Sequence, residues 1–233
     1  MACLWCHNPE SQKPESEYMM RERKFNGKTF KEKELVGKEM NTLELMKEIN
    51  KDRVYYEESG GGVTFSGGEP LAQSTFLLEM LAACKKEGYH TTLDTSGHAN
   101  GTVIEEVIKL CDLFLFDLKL MDDAIHLKYT GVSNQLSLKS LDRIINAGKE
   151  VIIRFPVIPG ITDREENISS IAIHMKERNI QRIDLLPYHS MAKNKYQKLG
   201  RSYELGELKQ VPDERLSEIK EFLKSKGLLV ASG

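Results

Sequence analysis

The chain has 233 residues, of which 40% are hydrophobic and 29% are charged, and its formal net charge is −2. This composition is typical of a globular α/β protein, and the small net charge gives no reason to expect nucleic acid or an anionic membrane as a partner. No apolar run reaches the ~18 residues of a membrane span, and residues 1–30 lack the apolar centre of a signal peptide. The four cysteines form no disulfide-scaffold pattern, so we expect a reducing compartment and a cytoplasmic protein.

The N-terminus, MACLWCHNPES, carries two cysteines in a C-x-x-C pair, Cys3 and Cys6, with Trp5 between them. In a reducing compartment this spacing indicates a metal or catalytic site more often than a structural disulfide. The remaining cysteines, Cys84 and Cys111, continue apolar stripes at helical spacing and are predicted to pack in the core. The sequence therefore predicts one metal or redox site, at the start of the chain.

Residues 8–41 are polar and dense in charge, and they show no regular apolar pattern. We interpret them as an irregular, solvated excursion rather than a separate binding module. Within them, FNGKTF predicts a hairpin turn at Asn26 and Gly27, because both residue types accept the positive φ angles of a tight hairpin turn.

From residue 62 onward, short apolar runs alternate with amphipathic stretches. The predicted strands are GVTFS (62–66), YHTTLDT (89–95), LFLFDLK (113–119), VIIRFPVI (151–158) and RIDLLPY (182–188). The predicted helices lie near 73–87, 101–111, 137–147, 164–178 and 213–226. Such alternation indicates parallel strands with right-handed crossovers, and therefore a single α/β domain.

Each predicted strand ends in polar or turn-forming residues. The strand ends are SGGEP (66–70), DTSG (94–97), DLK (117–119), Arg154 followed by PG (159–160), and PYH (187–189). In a (β/α) barrel these ends meet at the C-terminal mouth, where such enzymes place their chemistry. Paired glycines there let a ligand approach the backbone, and an aspartate, a lysine and an arginine suit the ammonium and carboxylate groups of a zwitterion. These residues indicate a ligand with an amino-acid head group.

The chain resembles the activating enzymes of glycyl-radical enzymes in six motifs that occur in the family's order. They are CLWCHNPES, GGGVTFSGGEP, LDTSG, FDLK, IRFPVIPG and LLPYH. These enzymes are a branch of the radical S-adenosylmethionine (SAM) superfamily, and the resemblance is weakest over residues 8–41. It implies an α/β fold, a partial (β/α)6 TIM-like barrel of parallel strands. Five strands are visible in the sequence, so we expect the sixth, the family's first strand, to be missing before Met1.

The resemblance implies a [4Fe–4S] cluster bound by a C-x-x-x-C-x-x-C motif. Cys3 and Cys6 match its second and third cysteines, and Trp5 matches the aromatic residue before the last one. The first cysteine would fall before Met1, so we expect the sequence to be truncated at its N-terminus. Some family members carry a ferredoxin-like insert with further clusters after this motif, and we expect none here because residues 7–83 contain no cysteine.

The resemblance also assigns residues to SAM. They are Trp5, Cys6, His7, Gly67, Gly68, Glu69, Asp117, Leu118, Lys119, Arg154 and His189. Among them, Gly68 is expected to offer its backbone to the methionine amino group, and Arg154 to contact a carboxylate. A monovalent cation like that of the pyruvate formate-lyase branch is implied at a second set of positions, which are Asp94, Thr95, Leu115 and Asp117.

In the reaction that the resemblance implies, an external flavodoxin or ferredoxin reduces the cluster by one electron. SAM is then cleaved to methionine and a 5′-deoxyadenosyl radical, which takes a hydrogen atom from a glycine of a partner enzyme, pyruvate formate-lyase or a relative. We expect a monomer with no nucleic-acid or membrane partner. Two alternatives stay open from the residues: another radical SAM enzyme that acts on a small molecule, and a C-x-x-C zinc or thiol-redox module.

Overall fold

The computed structural model describes residues 1–13, 15–190, 192–206 and 208–232. Its strands are β1 (Glu17–Phe25), β2 (Lys28–Val36), β3 (Gly62–Phe65), β4 (His90–Thr95), β5 (Leu113–Asp117), β6 (Glu150–Val157), β7 (Arg182–Pro187) and β8 (Leu229–Ser232). Its α-helices are α1 (Thr42–Ile49), α2 (Arg53–Ser59), α3 (Ser74–Lys86), α4 (Gly101–Leu110), α5 (Asp123–Thr130), α6 (Gln135–Asn146), α7 (Glu165–Glu177), α8 (Ala192–Lys198) and α9 (Asp213–Ser225). Short 3-10 turns cover Pro9–Ser11, Asn50–Asp52 and Pro70–Gln73.

Strands β3 to β8 form one sheet in which neighbours in sequence are also neighbours in space. Every adjacent pair is parallel, and helices lie in the connections, as the alternating pattern predicts. In this order β3 and β8 are the two outermost strands. Because all six strands run in the same direction, their carboxyl ends lie at one edge, which we call the C-terminal edge.

A sixth parallel strand, β8, lies near the C-terminal end of the chain, and the sequence pattern did not predict it. The expectation that the family's first strand precedes Met1 stays a prediction. β8 pairs in parallel with β7. Its four residues follow closely on the turn at Gly227, where φ is +86°. A run this short shows little periodicity, which is why the sequence pattern does not reveal it. The sheet of the described residues therefore has six parallel strands, one more than the five that the pattern predicts.

The core lies between the sheet and the helices that connect its strands. Phe114 and Phe116 on β5 and Phe155 on β6 are almost fully buried. Leu81 on α3 and Ile144 on α6 meet them from the helical layer and have no exposed surface. Burying one such side chain stabilises a fold by roughly 1.5–3 kcal/mol. This packing holds the strands in place relative to the helices. The polar strand-end residues are thereby held at the C-terminal edge.

Residues 8–41 are regular for most of their length, which corrects their interpretation as an irregular excursion. β1 and β2 pair as an antiparallel hairpin. The turn lies at Asn26 and Gly27, as predicted, with φ of 47° and 75°. The sequence pattern hides these strands because charge pairs across the hairpin, such as Arg21 with Glu34 at 2.9 Å, stand where apolar alternation would.

Four of the helices in the described ranges are ones that the sequence pattern did not predict. They are α1, α2, α5 and α8. Local hydrogen bonds start two of these: Asn41 accepts from the backbone N–H of Glu44 before α1, and Asp122 accepts from that of Ile125 before α5. Each bond satisfies a donor that a helix start leaves unpaired. Among the described residues, no helix combines the length and apolar character that crossing a membrane requires.

Asp112 joins the beginnings of β4 and β5. Its Oδ2 accepts from the backbone N–H and the hydroxyl of Thr91, at 2.9 and 3.0 Å, and its Oδ1 pairs with Lys85. Burial acts to raise the pKa of this carboxyl, but the Lys85 ammonium and the Thr91 donors outweigh burial and lower the pKa below its ordinary value. Ionised Asp112 therefore stabilises the fold.

We expect Asp112→Ala to lower the free energy of unfolding by about 1–3 kcal/mol, because Thr91 and Lys85 lose a charged acceptor. A lowered native pKa contributes stability above the unfolded-state value of about 3.9, and this contribution is lost as the pH falls through the native value. The deficit of the variant should thus be full at neutral pH and shrink in acid. Urea unfolding of the variant and the wild type, followed by circular dichroism at neutral and at acidic pH, measures this deficit.

Glu221→Ala is the control for this prediction. It removes an exposed pair with Lys224 on α9 and should leave the unfolding curve unchanged. If both variants lost the same stability, or if the deficit of Asp112→Ala did not depend on pH, the role assigned to Asp112 would be wrong.

Candidate active site

Charged side chains from three neighbouring strands meet at the C-terminal edge. Arg154 on β6 donates to Asp94 on β4 over 2.9 Å, and Lys119, just after β5, donates to Asp117 over 2.9 Å. The Ser66 hydroxyl, which follows β3, also donates to Asp94, at 2.7 Å. The parallel register pairs Asp117 with Arg154 directly. The structure thus brings together five of the residues that the strand-end motifs single out.

The charges at this edge influence one another because they are partly shielded from water. Burial raises the pKa of Asp94, and the nearby Asp117 raises it further. The Lys119 side chain is 8% exposed. Burial acts against its charge, but Asp117 and Cys3 reverse the effect and raise the pKa of Lys119. Lys119 is therefore held as a buried cation beside the N-terminal thiols.

Glu69 joins the turn after β3 to the turn after β4. Its carboxylate accepts from the Thr95 hydroxyl at 2.6 Å and from the backbone N–H of Ser96 at 3.0 Å. It also accepts from the Ser96 hydroxyl and, at 3.3 Å, from the backbone N–H of Leu71. Four protein donors thus fix this carboxylate and tie the two turns together. The contact between Glu69 and SAM stays a prediction.

The N-terminal segment carries two thiols to the same edge. The backbone N–H groups of Ala2 and Leu4 donate to the carbonyls of Thr130 and Tyr129, at the end of α5, over 2.9 and 3.0 Å. Trp5 is 4% exposed and belongs to the main core, with its ring 6.4 Å from that of Tyr129. The segment is therefore anchored although it belongs to no helix or strand.

Both N-terminal thiols are partly buried. Burial raises the pKa of Cys3 to about 11, although Lys119 opposes the effect, and burial also raises the pKa of Cys6. The backbone N–H of Cys6 donates to the carbonyl of Cys3 at 3.0 Å, which closes the C-x-x-C turn. Cys84 and Cys111 are fully buried in apolar clusters, as predicted.

Cysteine thiolates are the usual ligands of an iron–sulfur cluster. Within the described ranges, no set of three or more His, Cys, Asp or Glu side chains is arranged to hold a metal ion. Cys3 and Cys6 are free, and they fit a cluster in their chemistry and in their place at the C-terminal edge. Their role as two ligands of the cluster stays a prediction.

The residues predicted to hold a monovalent cation are already engaged with one another or with protein cations. Asp94 lies beside Leu115 in the register of β4 and β5, and the Thr95 hydroxyl donates to Glu69. Asp94 and Asp117 each pair with a basic side chain. A cation bound between these two carboxylates would therefore compete with both ion pairs.

His7 and His189 lie near one another although they come from opposite ends of the chain. The ring of His7 packs edge-on against Tyr188, with 6.1 Å between the ring centroids. Burial lowers the pKa of His7, and the charge of His189 lowers it further. Nδ1 of His189 is 3.3 Å from Nε2 of Gln210. The PYH motif thus reaches the N-terminal segment.

Three other predicted residues, Gly67, Gly68 and Leu118, have roles in the fold itself. A Cβ built on Gly68 would lie 2.7 Å from the backbone oxygen of Ser11 and 2.8 Å from its Cβ. The chain itself fills the space that a side chain at position 68 would need, so packing requires glycine there. The contact between the backbone of Gly68 and SAM stays a prediction. Gly67 needs glycine for its φ of +128°. The Leu118 side chain is buried in the core, and its N–H donates to the carbonyl of Arg154 at 3.0 Å.

Two cavities lie away from these residues. One, of about 340 Å³, lies between α7 and α9, and the other, of about 280 Å³, lies between the end of α2 and the start of β4. Neither is lined by a residue predicted to bind SAM. The C-terminal edge is therefore distinguished by its charges and thiols.

Sequence reasoning missed the residues that hold the N-terminal segment from the other end of the chain. Nζ of Lys195 lies 2.8 Å from Oδ1 of Asn8 and 2.7 Å from Oε1 of Glu10. Nη1 of Arg201 donates to the carbonyl of Pro9 at 2.7 Å. These partners are 187, 185 and 192 positions apart, so no local pattern could indicate them.

Comparison with known proteins decides the family. Residues 1–170 match the sequence model of the Radical SAM superfamily. The chain is 38% identical to the trans-4-hydroxy-L-proline dehydratase activating enzyme of Clostridioides difficile, over 94% of this chain and 86% of that protein. It is 36% identical to the pyruvate formate-lyase-activating enzyme of Clostridium pasteurianum, over 96% of this chain and 86% of that protein. The chain belongs to the radical SAM activating enzymes of glycyl-radical enzymes.

A solved structure agrees with this assignment. A domain of pyruvate-formate lyase-activating enzyme from Bacteroides vulgatus ATCC 8482 superposes with a TM-score of 0.63 at 32% identity, over 74% of this activating enzyme and 99% of that chain. The family predicted from the motifs is therefore confirmed. The alternative of a zinc or thiol-redox module has no support among these relatives.

We expect Gly68→Ala to destabilise this activating enzyme by about 1–3 kcal/mol, because the added methyl group must displace the backbone of Ser11. Gly101→Ala is the matched control, since its Cβ would meet only the flexible end of Arg143. Its stability should stay within about 0.5 kcal/mol of the wild type. Urea unfolding of both variants measures the difference. Equal stability of Gly68→Ala and wild type would show that Ser11 does not constrain this position.

Proposed function

We propose that this activating enzyme cleaves SAM reductively and uses the product radical to generate a glycyl radical on a partner enzyme. One observation carries the proposal: two free, partly buried thiols lie beside Lys119 at the C-terminal edge of a parallel sheet. Membership of the activating-enzyme family supports the reaction class.

In this proposal Cys3 and Cys6 hold a [4Fe–4S] cluster as two of its ligands. When bound, the cluster supplies the electron that SAM cleavage requires. Lys119 and Arg154 offer cationic groups to the carboxylate of SAM, and Asp117 offers an acceptor to its ammonium group. These groups are charged and held by the strands, so they need little rearrangement to orient the methionine part of SAM.

The remaining predicted contacts extend the same site. We assign Trp5, His7 and His189 to the cofactor side of the N-terminal segment, since His7 and His189 approach each other there. The turn at Gly67 and Gly68 offers backbone groups next to the segment that carries the thiols. Binding of SAM is expected to use these groups together with the charged edge.

The proposal extends to the partner enzyme, the electron donor, the oligomeric state, the location and a bound cation. The relatives are named as activating enzymes of trans-4-hydroxy-L-proline dehydratase and of pyruvate formate-lyase, so we propose a glycyl-radical enzyme of this kind as the partner. We further propose a flavodoxin or ferredoxin as the electron donor, a monomeric state, and a cytoplasmic location. A monovalent cation near Asp94 and Asp117 is also proposed.

Anaerobic reconstitution with iron and sulfide tests the function. We expect the wild type to retain iron and, with a chemical reductant, to convert SAM to 5′-deoxyadenosine. With pyruvate formate-lyase or a related enzyme present, electron paramagnetic resonance should show a glycyl radical. Cys3→Ala and Cys6→Ala should each reduce iron retention and SAM cleavage by at least about 100-fold, because the cluster loses a thiolate ligand.

Cys84→Ala and Cys111→Ala are the matched controls, because both side chains are buried in apolar clusters. These variants should keep the iron content and SAM cleavage of the wild type. Equal losses in all four variants would contradict the assignment of the cluster to Cys3 and Cys6. Cleavage of SAM without a radical on any glycyl-radical enzyme would instead favour a small-molecule substrate.

A further inference from the structure

Two basic residues near the C-terminal end hold the segment that follows the cysteine pair. We call Lys195 and Arg201 the clamp. Lys195 pairs with Glu10 over 2.7 Å. Arg201 pairs with Glu17 and also donates to the carbonyl of Pro9 at 2.7 Å. The clamp therefore contacts four residues that follow the C-x-x-C turn, which are Asn8, Pro9, Glu10 and Glu17.

The acidic partners of the clamp are more buried than the clamp itself. The side chains of Glu10 and Glu17 are 15% and 18% exposed, against 39% for Lys195 and 25% for Arg201. In each glutamate the second carboxylate oxygen, Oε2, is buried and has no hydrogen-bond partner in the described part of the chain. Removing one member of a shielded pair leaves the other as an uncompensated charge, which costs more than the pair contributes. Each glutamate thus depends on its clamp residue.

The clamped segment touches the thiol site on two sides. The polar side chain of Gln12 faces both Cys6 and Tyr196, the neighbour of Lys195 in α8, and it acts against burial by lowering the pKa of each group. On the other side, Nδ2 of Asn8 lies 3.5 Å from the carbonyl oxygen of Gly67. The segment therefore lies between the clamp and the turn after β3, and Cys6 lies at its start.

We propose that Lys195 and Arg201 are positioning residues for the thiol site. They act through Glu10, Glu17 and the Pro9 carbonyl, and they keep Cys3 and Cys6 at the C-terminal edge. The inference rests on the proposed function for the use made of these thiols. Whether Lys195 and Arg201 fix the positions of Cys3 and Cys6 can be tested on the protein without a cluster or SAM.

Charge reversal across the Lys195–Glu10 pair tests the clamp. The 233-residue protein without metal is treated anaerobically with iodoacetamide at fixed pH, and mass spectrometry follows the modification of each cysteine. We expect Lys195→Glu and Glu10→Lys each to raise the alkylation rates of Cys3 and Cys6 about tenfold, since each leaves a shielded charge beside a like charge. The double variant restores an opposite-charge pair, and its rates should return to within about twofold of the wild type.

Cys84 and Cys111 are internal references, because both are buried away from the clamp. Their rates should not change in any variant, whereas a general loss of stability would raise all four rates and would not be rescued by the swap. Lys224→Glu, which reverses one charge of the exposed pair with Glu221 on α9, should leave Cys3 and Cys6 unaffected. Unchanged rates in both single variants, or no recovery in the double variant, would overturn the proposal. Either result would leave SAM cleavage by the wild type as a separate question.

Discussion

The candidate site depends on the pairing of Asp94 with Arg154 and of Asp117 with Lys119. Two carboxylates this close and this shielded would repel each other and favour protonation, as the raised pKa of Asp94 shows. Each carboxylate is paired with a cation, which offsets this repulsion. The pairing of β5 with β6 places Asp117 beside Arg154, because the two are register partners. A zwitterionic ligand can exchange with such pairs without leaving a buried charge uncompensated. This property suits the edge to the methionine part of SAM.

Periodicity predicted the parts of the fold in which local pattern and burial agree, from the strand at 62–66 to the helix at 213–226. It could not show β8, which is too short, or the hairpin of β1 and β2, whose strands pair through charges. At the site, the carboxyl ends of parallel strands must share an edge, so the motifs located the charged residues. Their partners depend on register and on contacts between distant segments, as for Lys195 and Glu10, and a local pattern does not contain that information.

The turn after β3 shows that a motif residue can serve the protein before it serves a ligand. Gly68 makes room for Ser11, and the carboxylate of Glu69 accepts from Thr95 and Ser96 in the next turn. Both residues are therefore needed to assemble the edge whether or not they touch SAM. A loss of SAM binding on substitution at Gly68 or Glu69 identifies a direct contact only when the unfolding free energy is unchanged.

Trp5 and the clamp hold the N-terminal segment in different ways. Burying the indole contributes roughly 1.5–3 kcal/mol, whereas the shielded ion pairs of the clamp contribute little net free energy, because the cost of removing the charges from water offsets their attraction. Trp5 therefore provides the larger share of the free energy, while the directional contacts of Lys195 and Arg201 select one path for the chain after Cys6. Closing a loop of nearly the whole chain costs little more entropy than closing half of it, because the cost rises only with the logarithm of loop length. Contacts between the two ends can thus set the geometry of the thiols, and the site becomes complete only when α8 and the residues after it have packed.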